Sequence, residues 1–337
     1  MEYEIELKLL TTERAGELIT AQLLPQIDAK VSTQELELSN HYFDTPDRVL
    51  KQQKMGLRIR GYHHQFEQTL KTAGHSIGGL HQRPEYNVSL ETTKNQTIGL
   101  PNLKLFPESV WPDFFDVERS QTQIGVLFTT HFKRKVFLFD FPNCDAVELV
   151  WDLGEITANN RTVPICEIEL ELKSGSIAAL FLLAKQVVNL IPTTIGNESK
   201  AARGYQLLDD ETVKIANEIQ FNISKYSEFE LEDTLQSLNF ALQHFQKLSV
   251  EITRHFSLDI VKMLTATLTH IEECVTTLKC NASSQKLEDI QSALLDFIQD
   301  WRVVVEQKNN HNCVQLITDS KVTLLQLDMM QYLAEQR

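Results

Sequence analysis

Charged side chains occupy every second position near the start of the chain: Glu4, Glu6 and Lys8. The stretch CEIELELKS repeats this alternation with a second set: Glu167, Glu169 and Glu171. Successive side chains of a β-strand point to opposite faces, so each run predicts a strand with one charged and one apolar face. Carboxylates at this spacing can bind a hard cation such as Mg²⁺, which prefers oxygen ligands. Either run alone is also typical of an ordinary strand whose charges face water.

Cationic side chains follow the same alternation on other predicted strands. In MGLRIRG, Arg58 and Arg60 alternate with apolar residues, and Lys71 ends the strand-like run FEQTLK. In HFKRKVFLF the basic residues fall on both faces, with Arg134 on the face opposite to its two lysine neighbours. Arg and Lys complement phosphate oxygens through charge-assisted hydrogen bonds. These strands therefore predict a surface suited to an anion.

Further carboxylates lie on strands of the same kind. Glu85 follows a proline at the start of one strand, and Glu148 and Asp152 share a face of another. If the strands close into a barrel with the charged faces inward, they line a tunnel with acidic and basic walls. Burying so many charges is costly without partners, and a polyanion together with divalent cations would satisfy both walls. The charged faces therefore indicate a metal-bound polyphosphate ligand.

The elements that must position these residues fall into two parts. We predict helices near 12–24 and 176–190, and strands near 3–10, 38–44, 56–62, 65–72, 83–90, 132–141, 146–152 and 164–173. Eight such strands indicate an α+β part built on a closed or nearly closed antiparallel β-barrel. All 12 glycines and all 9 prolines lie at or before Gly204. The remainder predicts an all-α helical bundle, with amphipathic stretches at 231–245, 260–278 and 287–305.

Composition argues against several classes of protein. With a net charge of −14 over 337 residues, the chain lacks the basic surface of a nucleic-acid or anionic-membrane binder, although a locally basic pocket stays open. We see no apolar run long enough to span a membrane and no secretory signal. The five cysteines are widely spaced and form no C-x-x-C pair. They fit a reducing cytoplasm and predict neither a disulfide framework nor a zinc site.

The ordered set of motifs resembles the CYTH superfamily, the triphosphate tunnel metalloenzymes. The matching stretches span about the first 207 residues: EIELK, HYFDTPDRVLKQQKMGLRIRG, TLK, GGLHQRPEYNV, ELVWDLGE, PICEIELELKSG and SKAARGY. The runs GGLHQRPEYNVSL and SKAARGY particularly resemble the bacterial inorganic triphosphatase branch, in which a helical CHAD domain follows. The resemblance implies a CYTH tunnel domain over 1–207 and a shortened or diverged CHAD-like domain over 215–337.

The resemblance also implies roles for individual residues. A Mg²⁺ or Mn²⁺ site would draw on five carboxylates: Glu4, Glu6, Asp152, Glu167 and Glu169. Six cations would bind the phosphate chain: Lys8, Arg58, Arg60, Lys71, Arg134 and Lys200. The residues implied in catalysis are Glu4, Glu6, Lys8, Lys71, Glu85 and Glu169. Spacing alone does not decide which two of the glutamates at 167, 169 and 171 bind metal, and the family pattern favours the first two.

The activity implied is hydrolysis of tripolyphosphate to pyrophosphate and phosphate, without a covalent intermediate. Phosphoryl transfer depends on neutralised charge and positioning, so metal ions and cations would supply most of the catalysis. A glutamate would accept the proton of the attacking water. Three alternatives stay open: a thiamine or nucleotide triphosphatase, a class IV-type adenylate cyclase, and a polyphosphate-binding module without catalysis. The intact acidic pairs argue against the last.

Two of the implied residues have a competing interpretation. Lys200 precedes a helix-like AAR run and Arg134 lies in a basic run, and both positions are often exposed to solvent. Other conspicuous residues have simpler explanations. We expect Trp111 and Trp151 in the core and Asp44 in a turn.

The C-terminal third departs from the CHAD pattern, which is basic and rich in histidine. Residues 211–337 carry 11 Lys and Arg against 18 Asp and Glu, with four histidines. An acidic bundle should repel polyphosphate rather than collect it. We therefore expect a structural or partner-contacting module, and the sequence does not choose between that role and a homodimer seam formed by its apolar helices.

Overall fold

The computed structural model describes residues 2–62, 65–90, 98–209, 231–282 and 284–336. Within these ranges the strands are β1 (Glu2–Leu10), β2 (Lys30–Asp44), β3 (Gly56–Tyr62), β4 (Gln65–Lys71), β5 (His75–Ile77), β6 (Leu80–Leu90), β7 (Gly125–Asp140), β8 (Ala146–Ala158), β9 (Arg161–Ser174) and β10 (Thr194–Ile195). The helices of the first part are α1 (Ala15–Leu18), α2 (Val49–Gln52), α3 (Val117–Gln123), α4 (Ile177–Leu190) and α5 (Lys200–Asp209).

Eight strands form a closed antiparallel barrel, which confirms the predicted fold class. Around the barrel they follow the order β1, β9, β8, β7, β2, β3, β4 and β6, and β6 pairs with β1 to close the ring. The short strands β5 and β10 extend the sheet beside β6 and β1. Closure places one face of every barrel strand inward, so alternating residues become lining residues.

Several strands are longer than the apolar alternation predicted. β2 begins at Lys30 rather than near 38, and its first residues are mostly exposed. Because both faces of this segment contact solvent, the sequence carries no apolar alternation there to detect. The segment is held instead by main-chain pairing with β7, from Lys30 opposite Asp140 to Leu38 opposite Phe132.

The helix expected near 12–24 is a mixed helical segment. α1 continues into a π turn (Ile19–Leu23) and a 3₁₀ turn (Leu24–Gln26). Pro25 lacks a main-chain N–H, so a regular α-helix cannot continue through this position. Gly16 lies against the ring of Trp151, where an added Cβ would come within 2.5 Å of the ring carbons. The segment therefore packs closely on the outer face of β8, where Trp151 lies.

The C-terminal part is helical, as predicted. Its described helices are α6 (Leu231–Arg254), α7 (Leu258–Asn281), α8 (Gln285–Glu306), α9 (Asn310–Ile317) and α10 (Ser320–Glu335). Side-chain caps mark several helix starts, including Ser257, whose hydroxyl accepts from the N–H of Ile260. No helix in the described part of the chain combines the length and apolar character needed to cross a bilayer.

One apolar core joins the outer face of the barrel to these helices. Leu7 and Leu80 from the barrel, Phe181 from α4, and Leu242 and Met330 from the C-terminal helices belong to the same buried cluster. Trp151 lies in this cluster and Trp111 in a second one, so both are core residues as expected. The helical part is thus packed against the barrel by burial of apolar surface, the dominant stabilising contribution in folded proteins.

Candidate active site in the barrel tunnel

A cavity of about 600 Å³ runs through the barrel and is lined by the predicted charged faces. Among the described lining residues, ten are cationic and seven are carboxylates, and two further carboxylates, Asp152 and Glu167, lie in the wall against these cations. The cavity volume lies within the range of roughly 300–1,000 Å³ that is common for ligand sites. The tunnel therefore concentrates cations inside an acidic protein.

Strand register brings one charged cluster together on β7, β8 and β9. Arg134 pairs with Asp152, and Asp152 pairs in turn with Glu167 on the next strand. The Arg134 guanidinium donates through Nε and Nη2 to the two oxygens of Asp152, at 2.7 Å each, and through Nη2 to Glu169 at 2.9 Å. This bidentate geometry is the strong form of a guanidinium–carboxylate contact. Arg134 therefore faces the tunnel, and the solvent-exposed interpretation is wrong.

Two lysines complete this cluster from other elements. Lys8 of β1 donates to Glu167 at 2.8 Å and also to Glu169. Lys200, the first residue of α5, lies 2.7 Å from Asp152 and contacts both glutamates. Its side chain is only 7% exposed, so it is not a solvated cap.

The charges of this cluster stabilise one another in the ionised state. Burial opposes the charge of Asp152 and Glu169, but neighbouring cations outweigh it and lower the pKa of both carboxyls. Burial likewise opposes the charge of Lys8 and Lys200, and the facing carboxylates raise the pKa of both ammonium groups. The cluster is a network of alternating charges at neutral pH.

A second cluster lies on β1, β3, β4 and β6. Lys71 pairs in register with Glu85, which it approaches at 3.1 Å, and it also donates to Glu4. Arg58 lies 3.8 Å from Glu85. Burial opposes ionisation of Glu85, yet Lys71 and Arg58 lower its pKa to about 2. Burial, with repulsion from other glutamates, raises the pKa of Glu4 to about 7 despite the contact with Lys71.

Glu6 is held by a residue that sequence reasoning missed. Arg83 of β6 donates through Nη2 to Glu6 at 2.9 Å. Together with Lys71, this cation lowers the pKa of Glu6 against the effect of burial. Arg83 lies two positions before Glu85 on the same strand, so the alternation rule that selected Glu85 could also have selected Arg83.

Arg60 differs from the other tunnel cations. Its Nε donates to the side-chain oxygen of Asn40 at 2.9 Å, and no carboxylate in the described ranges forms an ion pair with it. Burial and repulsion from Arg58 and Arg134 lower the pKa of Arg60 to about 9. Among the described side chains, the buried Nε atoms of Arg58 and Arg83 also have no hydrogen-bond partner. The basic wall thus has donors that the protein does not satisfy.

The structure brings the predicted site residues together and divides them into two groups, one inside the tunnel wall and one lining the tunnel. Asp152 and Glu167 lie fully buried in the tunnel wall, and the other predicted residues line the tunnel: Glu4, Glu6, Lys8, Arg58, Arg60, Lys71, Glu85, Arg134, Glu169 and Lys200. In the described part of the chain, one group of three carboxylates offers ligand atoms within 4.8 Å of one another: Asp152, Glu167 and Glu169. Glu4 and Glu6 lie outside this group. Glu171 pairs with Lys173 at 2.8 Å and also lies outside it.

Asp44 has a larger role than the expected turn. It is buried, and its carboxylate accepts from the N–H groups of Leu50 and Lys51 at the start of α2. The hydroxyl of Tyr205 on α5 also donates to it, at 2.7 Å. Asp44 therefore connects the turn after β2 to the helix that carries Lys200.

The comparison with known families covers the barrel. The family model of the CYTH domain matches residues 2–205. An inorganic triphosphatase of Haemophilus influenzae is 38% identical over 211 residues, which are 60% of this chain and 54% of that protein. The chain therefore spans about half the length of this curated relative.

Solved structures with a similar fold are more distant. HpAC1 of Hippeastrum, an adenylyl cyclase by name with a dominant triphosphatase activity, is 19% identical with a TM-score of 0.42, covering 61% of this chain and 96% of that one. The PH1819 protein of Pyrococcus horikoshii OT3 is 14% identical with a TM-score of 0.40, covering 60% and 99%. Likenesses this distant do not bear on function.

Proposed function

The chain belongs to the CYTH domain family, and from this premise we propose that it is a metal-dependent inorganic triphosphatase. Tripolyphosphate binds inside the barrel and is hydrolysed to pyrophosphate and phosphate. The observation that carries this proposal is the concentration of cations in the tunnel of a chain whose net charge is −14. The similarity to a curated inorganic triphosphatase supports the substrate class.

The guanidinium of Arg60 supports a polyanionic ligand. A partly buried guanidinium such as Arg60, without a carboxylate partner, is costly to keep charged. Phosphate oxygens would supply the missing counter-charge to Arg60, which lines the cavity. Lys8, Lys71, Arg134 and Lys200 would then share their donors between the substrate and their present carboxylates.

The carboxylates of the tunnel fit a divalent cation by their chemistry. Asp152, Glu167 and Glu169 offer oxygen atoms close enough to ligate one ion, and Glu4 and Glu6 are further donors from β1. Oxygen-only ligands suit Mg²⁺ or Mn²⁺. Such an ion, when bound, neutralises charge on phosphate oxygens and lowers the pKa of a coordinated water.

The remaining chemistry is assigned to the chain's own residues. Glu85 holds Lys71 and Arg58 in place, since it contacts both and stays ionised with a pKa of about 2. Glu4, with a pKa of about 7, can take up or release a proton near neutral pH. A tunnel glutamate that does not ligate the ion would accept the proton from the attacking water.

The test is phosphate release by the purified protein with Mg²⁺ or Mn²⁺. Tripolyphosphate, ATP, thiamine triphosphate and long-chain polyphosphate are compared in parallel. The variant Glu4→Ala/Glu6→Ala removes two carboxylates from the tunnel. The matched control, Glu35→Ala/Glu37→Ala, removes two at the same spacing from β2, where their side chains are 76% and 66% exposed.

The proposal expects a strong preference for tripolyphosphate, lost in the tunnel variant and kept in the control. A preference for ATP or thiamine triphosphate would mean that the substrate is an organic triphosphate and not tripolyphosphate. Absence of hydrolysis, together with metal-independent binding of polyphosphate, would contradict the proposed enzymatic activity and indicate a polyphosphate-binding module.

We propose three further properties. A cytoplasmic location is supported by the five cysteines, all of which are unpaired. The segments 1–207 and 215–337 are proposed as a CYTH tunnel domain and a CHAD-like domain, and part of the junction between them lies outside the described residues. A homodimer or protein partner would bind through the helical part.

A further inference from the structure

Two loops of the barrel meet α6 of the helical part. Gln246, which is 1% exposed, donates through its side-chain nitrogen to the carbonyl of Gly78 at 2.6 Å. Its side-chain oxygen accepts from the Asn197 amide at 2.7 Å. About two turns earlier on α6, Asn239 accepts from the N–H of Gly78 at 2.6 Å. A single buried glutamine therefore joins the β5–β6 turn to the segment 196–199.

The β5–β6 turn has the glycines that this contact requires. Gly79 has a φ of +106°, which L side chains rarely adopt. A Cβ at this position would lie 2.7 Å from the side-chain oxygen of Asn197 and 2.9 Å from that of Gln246. Glycine at position 79 thus permits the close approach of the turn to Asn197 and Gln246.

The segment 196–199 leads directly into the tunnel. Its first residue, Gly196, donates its N–H to the carbonyl of Lys8 at 3.0 Å. Glu198 contacts Arg254 of α6 at 3.6 Å and accepts from Gln206 of α5. The next residue after the segment is Lys200, whose ammonium lies 2.7 Å from Asp152. The backbone that sets the position of Lys200 is therefore fastened to β1 on one side and to α6 on the other.

We propose that Gln246 is a positioning residue, which acts through Asn197 to hold Lys200 at the phosphate site. This inference rests on the proposed function, since it takes Lys200 as a ligand of the substrate. It gives the helical part a role in the tunnel itself, because α6 fixes the start of α5.

The kinetic test compares Gln246→Ala with Gln243→Ala. Gln243 lies one turn earlier on α6 and bonds to the Ser76 carbonyl and Asn239, without a contact to the segment 196–199. We expect the KM for tripolyphosphate to rise about tenfold in Gln246→Ala, since loss of the segment's anchor weakens ground-state binding by Lys200. The Gln243→Ala control should leave the KM within about twofold, because the hydrogen bonds described for Gln243 do not reach the segment 196–199.

A double-mutant cycle with Lys200→Ala separates positioning from folding. If Gln246 acts through Lys200, removal of Gln246 adds little to the effect of Lys200→Ala. A merely structural role would lower kcat in proportion to the folded fraction, leave the KM unchanged and add fully to Lys200→Ala. An unchanged KM in Gln246→Ala, or an effect that adds fully to that of Lys200→Ala, overturns the proposal.

A second measurement does not depend on activity. Amide hydrogen exchange of residues 197–209 should accelerate in Gln246→Ala and in the milder Asn197→Ala, and not in Gln243→Ala. Unchanged exchange in both variants overturns the inference. If the wild-type protein hydrolyses no phosphoanhydride, the proposed function fails, and the exchange comparison still decides whether Gln246 holds the segment.

Discussion

At the residue scale, Arg60 shows how a site for an anion can be recognised without the anion. It shares the tunnel with Arg58 and Arg134, and the repulsion among these cations is not offset by an ion pair to Arg60 from the described residues. An apolar side chain in place of one of these cations would relieve the repulsion. Retention of the charge therefore indicates that function requires it.

Replacement of Arg60 should therefore separate stability from activity. We expect Arg60→Ala to lower kcat/KM for tripolyphosphate by about tenfold or more, the value of one charge-assisted hydrogen bond. The melting temperature without ligand should change little, because relief of the repulsion offsets the loss of the hydrogen bond to buried Asn40. Lys135→Ala serves as the control, since Lys135 contacts Glu35 outside the barrel at 3.1 Å. A large fall in melting temperature in Arg60→Ala would contradict this account.

Glu4 leads to a prediction about pH. Its pKa in the folded protein is about 7, raised mainly by burial from an ordinary value of 4.5. The folded state therefore holds a proton that the unfolded state releases, and this contribution to stability is lost as pH rises from about 4.5 through 7. Glu4→Gln keeps a neutral side chain at every pH, so its free energy of unfolding should exceed that of the wild type increasingly over this window.

The measurement for Glu4 is urea unfolding of metal-free protein between pH 4.5 and 8. The difference between Glu4→Gln and the wild type should grow to the order of 3 kcal/mol at most. A difference that is independent of pH would mean that the carboxyl of Glu4 is ionised throughout.

At the element scale, α5 is the piece whose placement decides the site. It supplies Lys200 at its start, and Tyr205 bonds to buried Asp44 in its middle. At its end Asp209 contacts Lys51 at 2.8 Å. Gly204 allows this helix to lie on the barrel, because a Cβ there would come within 2.2 Å of the Phe128 ring.

Gly204→Ala should therefore destabilise the protein although alanine is the better helix former. Helix propensity would favour the change by about 1 kcal/mol, whereas a clash with a buried ring costs about 1–3 kcal/mol. We expect a lower melting temperature and a higher KM for tripolyphosphate, since the clash moves α5 away from the tunnel. Gly99→Ala is the control, with no atom within 4 Å of its added Cβ. Equal melting temperatures for the two variants would show that α5 accommodates the methyl group.

At the scale of the whole molecule, the barrel and the helices share one apolar core. Leu242 of α6 is fully buried there, next to the position that a Cβ of Gly78 would occupy. Leu242→Ala should lower the free energy of unfolding by about 3 kcal/mol, as for other buried leucines. The loss should appear equally in both parts, because elements that share a core unfold together.

Two probes can follow the parts separately in Leu242→Ala. Tryptophan fluorescence of a Trp301→Phe background reports the barrel through Trp111 and Trp151, and circular dichroism at 222 nm is dominated by the helices. Coincident urea midpoints that shift together are expected. A shift in the dichroism midpoint alone would mean that the helical part unfolds independently.

The alternation of charge and apolar residues was sufficient to predict the barrel and the inward faces of β1, β3 and β9. A β-strand has a period of two, so the face of Glu4, Arg58 or Glu169 follows from its neighbours once one face is assigned to the core. The absence of glycine and proline after Gly204 was likewise sufficient to predict helices, since these residues are the main breakers of regular structure.

Other features depend on contacts between segments far apart in the chain. Basic residues occupy both faces of the strand that carries Arg134, so only the register of Arg134 opposite Asp152 shows that it faces the tunnel. Arg83 and Arg60 are both cations of the tunnel, yet one is paired with Glu6 and the other has no carboxylate partner in the described ranges. The contact of Gln246 with Asn197 spans 49 residues and has no local pattern. Local periodicity determines which face a side chain occupies, whereas its partners are set by tertiary packing.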